Sequence, residues 1–215
     1  MLYLILILAY LIGGIPFGLL MGKVKGIDIR EHGSGNIGAT NTWRVLGARW
    51  GLSCFILDAL KGFGPVFAAS CLGGPDWLPV AAVFAAVSGH VWSPYLSFKG
   101  GKGVATSAGA LLGVAALPVT CALVVWGITF KVSRYVSLAS ILAAITLPIF
   151  GFLLHFLTSR TYSPATLGLL VVLGLVTVIR HRSNIQRLLN GTESKMGSKN
   201  KNPETSPEPS NTQSS

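Results

Sequence analysis

The sequence predicts an all-helical integral membrane protein with about seven transmembrane helices, two of them short, and three observations carry that expectation. Of 215 residues, 51% are hydrophobic and only 11% are charged, too few charges for a soluble domain. Apolar runs of about 20 residues recur along the chain, the length that crosses a hydrocarbon core of about 30 Å. The basic residues gather in a few connectors that border those runs. The net charge of +10 therefore points to anionic lipid head groups or phosphorylated substrates, not to nucleic acid.

The first run, residues 2–22, begins "MLYLILILAYLIGG". It has no basic start and no small-residue cleavage pattern, so it reads as a retained span and not a signal peptide. Residues 51–72, 78–97, 135–157 and 164–180 are four further candidates. Residues 104–130 differ: as one helix they would reach about 40 Å, and Pro118 sits near the middle, where proline breaks the hydrogen-bond ladder. The segment is either one long span or two short elements folding back near Ala116–Pro118.

Positive charge decides between these. Connector 23–49 carries Lys23, Lys25, Arg30, Arg44 and Arg49, connector 98–103 carries Lys99 and Lys102, connector 131–134 carries Lys131 and Arg134, and the segment from 180 carries Arg180, Arg182, Arg187, Lys195, Lys199 and Lys201. If 104–130 returns to its starting side, all of these are cytoplasmic; a single crossing would put the last two groups outside and violate the positive-inside rule. Only Arg160 and Lys61 stand apart. The expectation is seven helices, or five full spans plus a re-entrant pair, with the N-terminus outside and the C-terminus cytoplasmic. Residues 1–193 form the membrane-embedded domain. Residues 194–215, almost without apolar residues and ending "PETSPEPSNTQSS", form a disordered polar tail. Cys54, Cys71 and Cys121 all lie in apolar runs without a C-x-x-C pair, so they read as small core hydrophobes.

This parity gathers three polar stretches on one face. In "REHGSGNIGATNTWRVLGAR" (30–49), Gly33, Gly35 and Gly38 have dinucleotide-fingerprint spacing, but charged residues and a membrane helix precede them where a strand is required. No acidic residue follows at about 20 positions to hold a ribose; Asp58 lies in a span. What survives is close backbone approach to an anion, with Gly35, Ser34 and Asn36 supplying donors and Arg44 a forked charge suited to phosphate. A flexible loop with surface arginines is the competing reading. The second stretch, "GHVWSPYLSFKGGKGVAT" (89–106), lacks the nucleotide P-loop pattern, because Leu96 and Gly103 stand where glycine and serine or threonine belong. Gly100, Gly101, Lys102 and Gly103 nevertheless precede an apolar helix, whose free N–H groups make an anion site; a plain hinge is the alternative. In "RHRSNIQRLLNGTE" (180–193), His181, Asn184 and Arg187 share one side of a helix, with His181 a base, a phosphate donor or an interfacial filler. Asp58 and Lys61 stand mid-span at i, i+3, where each charge costs about 2.5–3.5 kcal/mol to insert; mutual pairing explains them better than a substrate role.

Acidic residues are scarce, with none between Asp76 and Glu193, so a two-metal carboxylate cluster is hard to build. No G-x-S-x-G elbow occurs, and no histidine has an aspartate five residues later: His32, His90, His155 and His181 are followed there by Ile37, Tyr95, Arg160 and Gln186. The inventory suits a phosphate monoester reacting with an already activated partner, with no metal and no cofactor.

Together, "GSGNIGATNTWRVLG", "GHVWSPYLSFKGGKGVAT" and "HRSNIQRLLNGTE" resemble the three cytoplasmic motifs of bacterial acyl-phosphate:glycerol-3-phosphate acyltransferases, the PlsY family, and "LDALKG" (57–62) is similar too. The resemblance runs from Met1 to about Glu193. It implies transfer of an acyl group from acyl phosphate to the 1-hydroxyl of glycerol 3-phosphate, giving lysophosphatidate and inorganic phosphate, the first committed step of bacterial phospholipid synthesis. It implies a place in the bacterial cytoplasmic membrane with the active site on the cytoplasmic face, membrane lipid around it, and a functional link to an acyl-carrier-protein phosphate acyltransferase. By motif position, Ser34 and Arg44 match residues important for activity. Gly100–Gly103 with Lys102 match the glycerol-phosphate segment, His181 and Asn184 an active-site pair, and Glu193 a structural glutamate. Ser137 and Ser140 resemble a serine pair near the site. The proton acceptor is either His181 or the substrate phosphate. Two rivals share these features: a transporter of a small phosphorylated anion using Asp58 and Lys61, and a non-catalytic lipid-binding module.

Overall fold

The computed structural model describes residues 2–159 and 161–197. Among the described residues nine α-helices follow in order: α1 (Leu2–Gly14), α2 (Phe17–Val24), α3 (Ala39–Leu46), α4 (Ala48–Cys71), α5 (Trp77–Val91), α6 (Val104–Ser133), α7 (Val136–Leu157), α8 (Pro164–Arg180) and α9 (Arg182–Leu189). No strand occurs among the described residues. By length and composition α4, α6 and α7 can cross a membrane; α1 with α2 and α8 with α9 form two more candidate spans, bent by 43° and 55°.

The run 2–22 is thus a broken helix, not a continuous one. Pro16 has no N–H to donate and disfavours helical backbone at Ile15. The run 78–97 also stops early, at Val91. Ser93 and Pro94 open a 3-10 turn there, which leaves residues 92–103 as a polar loop. Arg160 and residues 198–215, including most of the expected disordered tail, lie outside the described residues. The part of that tail that is described does not behave as a loose end: Met196 N–H donates to Arg134 O at 2.9 Å, and the Lys195 ammonium sits 5.4 Å from the Tyr135 ring centre. These contacts involve Lys195 and Met196 of the segment expected to form the tail. Its polar composition concealed contacts made by backbone atoms.

α6 carries the fold's main departure from a simple bundle. Its 30 residues would span about 45 Å if straight. Pro118 withdraws the N–H owed to Val114 O, and the helix breaks at Ala115, with φ −146° and ψ 52°. The two arms fold back. Lys102, just before the first arm, bonds to Asn184; Asn184 donates to Glu193 Oε1 at 2.7 Å; and Ser137, just past the second arm, donates to the same oxygen at 2.8 Å. Both ends of α6 thus reach one cluster, and the helix breaks at Ala115, next to the expected Ala116–Pro118. α4 crosses the first arm at small residues: a Cβ on Gly109 would lie 2.0 Å from Ala59 O, and one on Gly62 2.2 Å from Thr106 O. This close approach replaces the hydrophobic drive that lipid removes.

The buried pair Asp58–Lys61 (2.6 Å apart) closes on itself. Lys61 Nζ also donates to Ile15 O at 2.6 Å, so the ammonium ties α4 to the α1–α2 break. Lys61→Met would strand a buried carboxylate and free that carbonyl. We expect a loss of about 3–5 kcal/mol, read as a lower Tm in detergent, with most of it recovered in Asp58→Asn/Lys61→Met. An unchanged Tm in Lys61→Met would show that the pair does not hold the break.

Candidate active site

The first wall is the loop between α2 and α3. Gly33 (φ +62°) and Gly35 (φ +68°) turn the chain in the left-handed region, and a Cβ on Gly33 would meet Asn41 Oδ1 at 2.4 Å. Asn41 organises the loop. Fully buried in α3, it accepts the Ser34 N–H at 2.8 Å and donates to Ile29 O at 2.8 Å and His32 O at 3.1 Å. Asn36 Oδ1 accepts the Gly38 N–H at 3.0 Å, which sets the start of α3. Two turns on, Arg44 donates to Ser194 O at 3.1 Å, while its Nε is buried without a hydrogen-bond partner among the described residues.

The second wall is the loop 92–103. Gly100 and Gly101 donate their N–H groups to Val91 O and His90 O, both at 3.1 Å. A Cβ on Gly100 would stand 2.0 Å from His90 O, and one on Gly101 2.3 Å from His90 Nε2. These two glycines therefore pack the loop onto the end of α5, and their amides are already engaged. The donors left for an anion are Lys102, Gly103 (φ +83°, the N-cap) and the first turn of α6.

The third wall is the hinge between α8 and α9. His181 is buried, its Nδ1 2.8 Å from Thr177 O. A carbonyl only accepts, so Nδ1 carries the proton and Nε2 stays free as an acceptor. Burial, and next the Lys102 charge, push its pKa down to about 4, so the ring is neutral at physiological pH. Asn184 takes the Lys102 ammonium on its oxygen and gives its amide to Glu193. Glu193 also accepts from Ser137 and, at 2.7 Å, from Arg187 Nε. Burial alone would raise the Glu193 pKa, but the hydrogen bonds from Asn184, Ser137 and Arg187 outweigh it and hold the carboxyl below its usual range. Burial likewise pushes the Lys102 ammonium down to about 8, against the pull of Glu193.

The walls enclose a cavity of about 590 Å³. From the sequence-derived set, Ser34, Gly35, Asn36, Gly100 and Lys102 line it. Asn184, Ser137 and Glu193 stand behind Lys102 as its support, and Gly103 caps α6. Ser140 does not join them: its hydroxyl donates to Val136 O at 2.8 Å and accepts from Trp126 Nε1 at 3.2 Å. It belongs to the α6–α7 seam, one turn past Ser137, with its hydroxyl engaged on both sides. Arg30, Tyr95, Ser97, Lys99 and Ser183 also line the cavity without having been expected as ligands, as does Arg187, which had been grouped with His181 and Asn184 on one side of a helix but given no ligand role. The signal of the charged ones was present in the same basic connectors, but charge parity sorts residues by membrane side without saying which reach the cavity. Asn41 and Arg180 were missed as well, since both act on backbone atoms. The cavity thus concentrates cations, amides and the hydroxyls of Ser34, Tyr95, Ser97 and Ser183, an arrangement suited to phosphate oxygens.

Comparison with known proteins agrees. The family model described as glycerol-3-phosphate acyltransferase matches residues 3–191. The glycerol-3-phosphate acyltransferase of Desulforamulus reducens is 48% identical, covering 91% of this chain and 95% of its own. That of Aquifex aeolicus is 43% identical, over 88% and 96%. A crystal structure of PlsY (YgiH), an integral membrane glycerol 3-phosphate acyltransferase, in its glycerol 3-phosphate form, superposes with a TM-score of 0.84 at 41% identity, covering 91% of this chain and 96% of that one. The lysophosphatidic acid form gives 0.82 at 41% identity, over 91% and 95%. The chain belongs to the glycerol-3-phosphate acyltransferase family.

Proposed function

We propose that the protein transfers an acyl group from acyl phosphate to the 1-hydroxyl of glycerol 3-phosphate, forming lysophosphatidate and inorganic phosphate. The observation that carries this reading is the cavity, where Ser34 and Lys102, from motifs far apart in sequence, face one space. Family membership and the glycerol 3-phosphate and lysophosphatidic acid forms of PlsY support the acceptor and product.

The chemistry follows from the donor. Acyl phosphate is a mixed anhydride with phosphate as leaving group, so no covalent enzyme nucleophile is needed. The glycerol hydroxyl oxygen attacks the acyl carbon, the C–O bond to phosphate breaks, and the hydroxyl proton passes to a base. Lys102, Asn184 behind it and the start of α6 hold glycerol 3-phosphate; Arg44 and Ser34 meet the charge that develops on the acyl phosphate. With a pKa of about 4, His181 is too weak a base for this step at neutral pH. A phosphate group, with a second pKa of about 6, is the better acceptor, and His181 serves as a neutral hydrogen-bonding partner. The apolar chain of the donor lies between helices, open to the bilayer. The N-terminus is outside, the three motifs face the cytoplasm of a bacterial inner membrane, and the acyl phosphate comes from an acyl-carrier-protein phosphate acyltransferase. With Asp58 and Lys61 spent on each other and on Ile15, the transport alternative has no charged pathway to use.

Because the folded Lys102 titrates near pH 8, its ammonium is lost as pH rises through that value. We expect kcat/KM for glycerol 3-phosphate to fall above about pH 8 in the wild type and to stay flat there in Lys102→Arg, whose guanidinium keeps its charge. Parallel profiles for the two enzymes would exclude Lys102 as the titrating group. Lys102→Ala should chiefly raise KM for glycerol 3-phosphate, which steady-state kinetics at pH 7 would read.

A further inference from the structure

Arg180, the last residue of α8, donates from Nη2 to two backbone carbonyls, Gly100 O and Gly101 O, each at 3.0 Å. The opposite ends of this backbone are pinned as well: the Gly100 and Gly101 N–H groups donate to Val91 O and His90 O. The Gly100–Gly101 peptide unit is therefore stretched between His90 on one side and Arg180 on the other. The next unit, Gly101–Lys102, is held only through its carbonyl, by Arg180. In a trans peptide the C=O and N–H point in opposite directions. Fixing Gly101 O toward Arg180 thus fixes the Lys102 N–H away from it, and that N–H has no partner among the described residues. Gly100 and Lys102 both line the cavity. Glycines have the widest backbone freedom of any residue, so without this clamp the loop would have many conformations to lose on binding.

We infer that Arg180 is a positioning residue for glycerol 3-phosphate: by gripping Gly100 O and Gly101 O it holds the Lys102 N–H toward the cavity as a phosphate donor. This rests on the acyl-transfer reading above. Arg180 itself touches no substrate; it orders the donor before the substrate arrives. The guanidinium matters because its rigid plane fixes the two N–H bonds of a single Nη2 toward the two carbonyls, whereas a lysine ammonium is a point donor on a flexible stem with no fixed plane.

Arg180→Met and Arg180→Lys test this against wild type, with steady-state kinetics on glycerol 3-phosphate and hydrogen–deuterium exchange of residues 99–104. In both variants we expect KM for glycerol 3-phosphate to rise about tenfold or more with kcat within about twofold, the pattern of lost ground-state binding. Exchange should quicken in the loop and stay unchanged in α4 and α7. A wild-type KM in Arg180→Lys would show that charge alone suffices and overturn the inference. So would a fall in kcat at constant KM, which would place Arg180 on the reacting atoms, or unchanged loop exchange in both variants. If Arg180→Met fails to fold, Arg180→Lys, which keeps the charge, still gives the answer. Failure of the acyl-transfer reading appears separately, as absence of turnover in wild type, while the exchange measurement continues to report whether Arg180 grips the loop.

Discussion

Arg44→Ala should lower kcat by about 10²–10³-fold, the cost of removing one preorganised donor from a developing negative charge, while the protein still folds. The guanidinium reaches from α3 to Ser194 O and leaves its Nε buried and unpartnered. A desolvated donor of that kind is expensive unless substrate completes it. Ser34→Ala should act in the same direction, since Ser34 lines the cavity and its N–H is fixed by Asn41. Arg44→Lys should recover little, because an ammonium lacks the planar fork. The measurement is product formation under saturating substrates, with Tm as the control for folding. Full activity in Arg44→Ala would remove Arg44 from the site.

Glu193→Ala should have the second largest effect and should differ in kind, losing stability and activity together. One carboxylate accepts from Ser137, Asn184 and Arg187, so truncation leaves several polar groups unsatisfied near the start of α7 and in α9. A cost of about 2–3 kcal/mol follows from the buried members, and Asn184 loses the partner that orients its oxygen toward Lys102. Glu193→Gln keeps an acceptor oxygen but not the charge facing Arg187, so its loss should be intermediate. The order wild type, Glu193→Gln, Glu193→Ala in both Tm and kcat/KM is the expected outcome. A stable Glu193→Ala with normal kinetics would mean that the network does not support the site.

How far the sequence revealed this arrangement depends on which atoms do the work. Side chains that bear charge announced themselves: the distribution of lysines and arginines predicted a reversal within 104–130, and the helix does break at Ala115. Asp58 and Lys61 declared their pairing through the cost of isolated charge in a membrane. Backbone interactions were hidden. The Gly100 and Gly101 amides, expected to face an anion, are engaged by His90 and Val91, and nothing in "FKGGKG" distinguishes an engaged amide from a free one. Arg180 and Asn41 act on carbonyls and amides, so residue type alone did not separate them from ordinary polar surface. The serine pair divides for a related reason: Ser137 reaches Glu193, whereas Ser140, three residues on, meets Trp126. Residues 194–196 looked like tail because the segment they open is almost without apolar residues, although the backbone of Ser194 and Met196 docks on Arg44 and Arg134.

The central claim is that this cavity joins an acyl phosphate to glycerol 3-phosphate without metal, nucleotide or an enzyme-bound acyl group. The direct measurement is to mix the purified, folded protein with acyl phosphate and glycerol 3-phosphate in chelator-treated buffer and follow lysophosphatidate and inorganic phosphate. The account predicts equal amounts of both products from these two substrates alone. No product from folded protein, or product only when acyl-CoA replaces acyl phosphate, would contradict it.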